Sequence, residues 1–383
     1  MRTLLSHACL LLDRDDHFTL DEQDVLIENH RVIAIGDGIT SPYEADEVID
    51  LHGRTLLPAF FNLHTHLGEA FFRGISGSDW TLSRYLSYTE QTVNALSAEA
   101  RELQWNESAR MACREALETG TIGICAGRAA DPCNVAGLFC MSGYPLMNTP
   151  KLQRFLVDGV QKFQDDLRRW KSDRCSVGVL LHSLYMTDEK TLSLAIELSG
   201  CGAEFFSMHL SEDADTREKE EWRCKGSPVR FLAEHGLLGT NTILAHCGYC
   251  STEELSLLAT TGTTVVVCPQ SSAFLNECMA DIPELLRLGV RWCTGTDGPA
   301  TGRSLSLMQQ VSVIKERWPD VKDADLLRSI TTWPAQVFAR PSYTGRIEVG
   351  ACTSFQVAKD YPDAEMLLSD LVHNCLSCRL LRY

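Results

Sequence analysis

The 383-residue chain contains no apolar run approaching the roughly 20 residues needed to span a bilayer, which argues against a membrane-spanning protein. It also lacks a surplus of basic charge. Thirty-five Lys and Arg against 51 Asp and Glu leave a formal charge of −16, a balance that repels nucleic-acid phosphates and anionic membranes. A nucleic-acid polymer is therefore not an expected partner, although a single base or nucleoside stays open as a substrate. The composition of a disordered chain is missing too: 44% hydrophobic and 22% charged residues are ordinary for a protein with a substantial core. No cleavable leader is expected, because Met1 to Leu12 is only mildly apolar and Asp13, Arg14, Asp15 and Asp16 follow at once. A disulfide framework is not indicated either. The sixteen cysteines are scattered, and Cys125, Cys268 and Cys293 sit in apolar strand-like runs that suit buried free thiols. This usage reads as a reducing, cytoplasmic compartment. Two pairs have CxxC spacing, Cys247/Cys250 and Cys375/Cys378, but a zinc ribbon would need both to converge from unrelated surroundings. They read as incidental.

What is present is an alternation of element types. "TLLSHACLLL", "DVLIENHRVIAIGDG" and "EVIDLHGRTLLPAF" read as strands separated by Asp, Gly and Asn punctuation, and "TGRIEVGACTSFQVAKD" repeats that texture near the other end. Between them, apolar strand-like runs alternate with longer amphipathic segments, the signature of βα units around a parallel sheet. Eight strands are placed at 57–66, 121–126, 137–143, 175–182, 204–210, 241–246, 263–269 and 291–297. Helices are placed from the Ser97 cap to Gly120 and at 151–171, 188–200 and 226–235. Eight such units in about 285 residues match the size of a (β/α)8 TIM barrel, with a doubly wound open sheet as the alternative.

The histidines decide between the two. His64 and His66 lie two apart on the first strand, so both imidazoles point to one face. His182, His209, His246 and Asp297 end strands four, five, six and eight. In a TIM barrel the carboxyl ends of the strands converge, and side chains distant in sequence form one ring there. Such a cluster, buried without partners, costs free energy and calls for a cation or hydrogen bonds. His7, His17, His30, His52, His235 and His373 fall in polar or turn-like contexts and read as ordinary surface residues.

The segments "LLPAFFNLHTHL", "MHLSE", "ILAHC" and "GTD" together resemble the amidohydrolase superfamily over nearly the whole chain. "HTHLGEAFFRG" is similar to the mononuclear branch of triazine hydrolases and purine- or nucleoside-type deaminases, with Arg73 and Gly74 matching its Arg-Gly pair. The resemblance implies a catalytic (β/α)8 barrel over 58–343 and a small β-sandwich built from 1–57 and 344–383. Ser354 stands where that sandwich commonly carries an aspartate, and Ser272 stands where the strand-seven pattern has asparagine. "GTDGPATGRSLSL" likewise departs from the family's usual continuation. Binuclear members carry a carboxylated lysine on strand four; no lysine lies between Arg174 and His182, so one metal is implied.

The implied ligands are His64, His66, His209 and Asp297, holding one divalent ion, zinc first and iron as the alternative, with water in the open position. The ion would bring bound water towards a pKa of about 7. Asp297 would take its proton, His246 would hydrogen-bond the oxygen, and Glu212, three residues after His209, would shuttle a proton to a ring nitrogen. His182, Glu69, Phe72, Trp80 and Arg128 are the expected substrate contacts, Trp80 by stacking and Arg128 by meeting an anionic group. The expected activity is hydrolytic release of ammonia from an N-heterocycle such as a purine, pterin or adenine nucleoside, by a homodimer. A chlorohydrolase or N-alkylamine hydrolase acting on a triazine is the close alternative, and a catalytically inactive scaffold a remote one.

Overall fold

The chain enters through five strands: β1 (Arg2–Asp13), β2 (Phe18–Glu28), β3 (Arg31–Gly36), β4 (Glu47–Asp50) and β5 (Thr55–Pro58). The computed structural model describes residues 1–14, 17–39, 45–75, 79–149, 152–373, 376 and 378–382. β1 and β2 pair antiparallel from Arg2 opposite Glu28 to Asp13 opposite Phe18. Their apolar positions close a core of Leu5, Leu10, Val25, Ile27, Val32 and Leu56.

Eight parallel strands follow, in a sheet whose spatial order is the chain order: β6 (Phe60–Asn62), β7 (Thr121–Gly127), β8 (Phe139–Leu146), β9 (Cys175–Leu181), β10 (Phe206–Leu210), β11 (Thr242–His246), β12 (Thr264–Val267) and β13 (Arg291–Thr294). Every residue of β8, β10, β11 and β12 is buried. Strands covered on both faces read as continuous apolar runs, which is why "TVVV" and "TILAH" show no polar alternation. Helices including Ala98–Glu118, Glu189–Gly200 and Pro228–Glu234 connect them, close to the expected ranges, while the helix expected at 151–171 is divided into Gln153–Leu156 and Gly159–Trp170. Beyond β13 the chain meets the chain beyond β6. Thr65 bridges Asp297 in parallel, and the backbone N–H groups of Thr296 and Asp297 both donate to His64 O at 3.1 Å. This is the closure expected of a barrel, and it joins the two ends of the sheet at the rim that carries the histidines.

Two further strands, β14 (Ser354–Ala358) and β15 (Cys378–Arg382), extend the terminal sheet in the order β15-β14-β5-β1-β2-β3, with β4 on β1. The fold is therefore an eight-stranded parallel barrel together with a mixed sheet drawn from both chain ends. The chain divides into two compact units, one of Met1–Phe61, Ala116–Ile122 and Ser306–Tyr383, the other of Asn62–Glu115 and Gly123–Leu305. Among the described residues no helix is long and apolar enough to cross a membrane.

One expected strand is divided. The run 57–66 gives its first residues to β5, where Pro58 lies opposite Phe355, and only Phe60–Asn62 to the barrel. Pro58 has no N–H for a ladder, so it can end one sheet but not continue into the next. His64 and His66 consequently stand just past β6, on backbone held by the Thr65 N–H to Cys125 O bond of 3.1 Å.

Packing inside the barrel is close enough to be tested at Gly178 in β9. A Cβ there would strike the carbonyl oxygen and ring of Phe205. Gly178→Ala is expected to destabilise the fold by about 1–3 kcal/mol, read as a lower midpoint in urea; an unchanged midpoint would show that Phe205 can move aside.

Candidate metal and catalytic site

Four of the expected side chains converge on one point. Donor atoms of His64, His66, His209 and Asp297 lie within 4.8 Å of one another, and a second group at the same spacing joins Glu212, His246 and Asp297. His66 Nε2 is 3.0 Å from His209 Nε2 and 3.0 Å from Asp297 Oδ1, while His64 Nε2 is 3.4 Å from that oxygen. The tautomer of His209 follows from its other nitrogen: Nδ1 lies 2.8 Å from the carbonyl oxygen of His182, so it donates there and leaves the Nε2 lone pair facing His66. His64 Nε2 and Asp297 Oδ1 are buried and make no hydrogen bond of good geometry among the described residues. Three imidazole nitrogens and one carboxylate oxygen directed at each other in this way fit a divalent metal, which satisfies all four at once.

Asp297 is held by its other oxygen. Ser271, on the short helix Pro269–Leu275, donates its hydroxyl to Oδ2 at 2.5 Å, and Thr301 donates at 3.0 Å. That leaves Oδ1 for the histidines. Burial favours the neutral form of Asp297, but the imidazoles of His66, His64 and His246 outweigh it and hold the carboxyl well below the ordinary range. Ser271→Ala is expected to weaken metal binding about 10–100-fold, measured by competition with a chromophoric chelator. Parental affinity in that variant would mean that Thr301 alone orients the carboxylate.

The backbone is unusual at the same rim. His246, Cys247 and Asp297 adopt φ of 70°, 55° and 56°, left-handed values that cost a non-glycine residue on the order of 1–3 kcal/mol each. Glu212 reaches the site from a loop fixed at Ser211, whose N–H and hydroxyl donate to Glu220 Oε2 at 2.9 and 3.2 Å. Its Oε1 is 3.4 Å from Nε2 of His246. Burial, followed by the negative charges of Glu277 and Asp297, pushes Glu212 well above the usual carboxyl range. Burial pulls His209 well down and lowers His246 to about 3, so both rings are neutral near pH 7.

The remaining expected residues divide. His182 follows β9 directly; its ring centroid is 4.8 Å from that of His209 and its Nδ1 is 3.0 Å from Ser183 Oγ. Glu69 lies on the 3-10 turn Leu67–Phe72 beside the Tyr85 hydroxyl, and a Cβ at Gly298 would strike its carboxylate. Phe72 and Trp80 are buried in a cluster with Tyr85, Phe274 and Ala300; Trp80 stacks on Phe274 at 6.4 Å and carries Arg84 over its ring at 4.5 Å. Arg128 is engaged elsewhere, paired with Glu102 and lying 4.0 Å over the ring of Trp105. A cavity of about 440 Å³, walled by Arg73, Ile75, Phe274, Ala300 and Arg303, opens beside the Asp297 loop. Cys247 and Cys250 are free thiols, and neither joins a metal-type group among the described residues; Cys375, half of the second CxxC pair, lies outside those residues.

Ser271, Thr301, Tyr85 and Glu277 escaped the sequence reading. Ser271 and Thr301 occupy segments already placed near the pocket, "CPQSS" and "GTDGPATG", but nothing local says which hydroxyl faces Asp297. Glu277 carried no signal at all, since an acid in a polar loop normally faces solvent.

Residues 55–372 match the model of the amidohydrolase family. The chain belongs to this family. A 5-methylthioadenosine/S-adenosylhomocysteine deaminase of Syntrophobacter fumaroxidans is 27% identical to this amidohydrolase over 363 residues, covering 91% of the chain and 82% of the relative. An adenosine deaminase from Xanthomonas campestris, solved with bound zinc, superposes with a TM-score of 0.84 at 20% identity, covering 97% of this chain and 88% of that one. A variant of atrazine chlorohydrolase from Arthrobacter aurescens, solved with zinc and atraton, gives 0.84 at 18% identity over 97% and 91%. At these identities the solved structures speak for the shared barrel.

Proposed function

We propose that this amidohydrolase is a metal-dependent aminohydrolase that releases ammonia from an aminated N-heterocycle such as a purine, pterin or adenine nucleoside. One observation carries the reading: the carboxyl of Glu212 meets His246 and Asp297 beside the three-imidazole group. That geometry would let Glu212 carry a proton beside a metal-activated water, which ring-nitrogen protonation requires. The deaminase activity named for the curated relative supports it.

His64, His66, His209 and Asp297 would hold the metal, and zinc is the proposed ion, as in the related deaminase structure. When bound, it supplies the Lewis acidity that lets a water lose a proton near neutral pH. Asp297 accepts that proton. His246, buried beside Glu212, donates a hydrogen bond to the oxygen added at the substrate carbon. Glu212 delivers a proton to the ring nitrogen next to that carbon and then assists departure of the amine. His182 and Glu69 are the proposed substrate contacts nearest this chemistry, with Phe72 and Trp80 shaping the wall behind Phe274. A homodimer is the proposed assembly, to be read by light scattering.

The test is an ammonia-release screen over purines, pterins, pyrimidines and nucleosides, run beside a halide-release assay on chlorotriazines. Ammonia release is expected. Halide release without ammonia would transfer the reading to the triazine class, and a purified protein devoid of metal after growth in metal-supplemented medium would favour a scaffold.

A further inference from the structure

Glu277 takes no part in the steps above, yet its position demands an explanation. It follows the helix that carries Ser271, after Asn276 turns the chain at φ 57°. The Glu277 N–H donates to Ser272 O at 2.8 Å, and the side-chain amide of Asn276 donates to Trp80 O at 3.1 Å, so the backbone on which Glu277 stands is fixed. Both carboxyl oxygens are shut off from solvent, and neither has a hydrogen-bond partner among the described residues. Burial, then the charges of Asp297 and Asp213, push the Glu277 carboxyl up to about 9, and Glu212 feels Glu277 more than any other charge. The fold thus buries an acidic side chain within electrostatic reach of Glu212 and Asp297, with no donor from the described residues. Buried acceptors without donors cost stability, and where they persist they point to a group that arrives from outside.

We propose that Glu277 is a substrate-contacting specificity residue that accepts N–H groups from the heterocycle. Hydrogen bonds from arriving N–H groups favour the charged form of Glu277, whose two oxygens match the N–C–N edge of an amidine-type ring in which a ring N–H and an exocyclic amine donate in parallel. The selected class is a heterocycle whose leaving amine itself adjoins a ring N–H, as on a guanine-type edge. An adenine-type edge sets its amine beside a ring nitrogen that only accepts, so one of the two oxygens would face a lone pair and stay unsatisfied. This inference takes its site from the aminohydrolase reading, but concerns binding rather than bond cleavage. An ammonium group on a substrate tail offers N–H donors too, so the test includes that source.

Metal-loaded parent, Glu277→Gln and Glu277→Ala proteins are titrated calorimetrically with guanosine, with adenosine and with a 5′-aminoalkyl adenosine, and turnover is followed in parallel. The parent is expected to bind guanosine at least about ten-fold more tightly than adenosine, the scale of losing donors to a buried acid. Both variants are expected to erase that preference, with metal content unchanged and melting temperature equal to or above the parent's. Loss of preference without ammonia release from any ligand would sustain Glu277 as the selector while removing the aminohydrolase reading. Equal binding of guanosine and adenosine by the parent overturns the inference. So does a parental preference surviving in Glu277→Ala, or a Glu277-dependent preference that follows only the aminoalkyl tail. A lower melting temperature with intact preference would assign Glu277 to the fold alone and overturn it as well.

Discussion

Glu212→Gln is expected to lower kcat about 10²–10⁴-fold, the usual contribution of a positioned acid–base group, while the protein keeps its full metal content. Glutamine preserves the size of the side chain and one oxygen that can face Nε2 of His246, now 3.4 Å from Glu212 Oε1. It cannot carry a proton. Because Glu212 stands outside the group of His64, His66, His209 and Asp297, the metal donors are untouched. The loop also stays anchored, since Ser211 rather than Glu212 makes the bonds to Glu220. Metal content by elemental analysis and kcat by ammonia release are therefore expected to separate. Normal turnover in this variant would remove Glu212 from the proton path.

His64→Ala is expected to abolish both metal retention and activity. The His64 side chain is buried against Asp297 Oδ1 at 3.4 Å, with Nε2 in no hydrogen bond of good geometry, so its imidazole serves the cluster and little else. Its backbone contribution, the carbonyl that accepts from Thr296 and Asp297, survives the substitution. The variant should thus fold and close its barrel, yet lose a donor from a four-donor set. Ligand binding stabilises a folded protein by about 2.7 kcal/mol when the ligand is present at 100 times its Kd. Added metal is accordingly expected to raise the melting temperature of the parent and to leave that of His64→Ala unchanged. Full metal occupancy in the variant would count against the ligand set. In metal-free solution the variant is expected to melt no lower than the parent, because one unsatisfied buried imidazole has been removed.

Much of this was legible in local patterns. Periodicity located the eight barrel strands, with β9 and β11 within a residue or two of their expected ranges, because each strand is buried along its own length and its apolar run is a local property. The histidine spacing carried the metal group for a similar reason: a strand terminus fixes which rim a side chain joins. The expected substrate contacts fared differently. Arg128 looked free to meet an anion, but Glu102 and Trp105, both on the helix Ala98–Glu118, engage it. Trp80 looked open for stacking, and Phe274 packs on it from 194 positions away in the chain.

The chain by itself therefore determined the sequence of βα units, the family, and the residue types at the strand ends, since these depend on short-range periodicity and spacing. Tertiary structure alone decided that Ser271 rather than Ser272 orients Asp297, that Pro58 ends one sheet while Phe60 begins the other, and that the Glu277 oxygens are buried without a partner among the described residues. Those outcomes depend on which side chains meet after the barrel closes between Thr65 and Asp297, a contact across more than two hundred residues that no local pattern encodes.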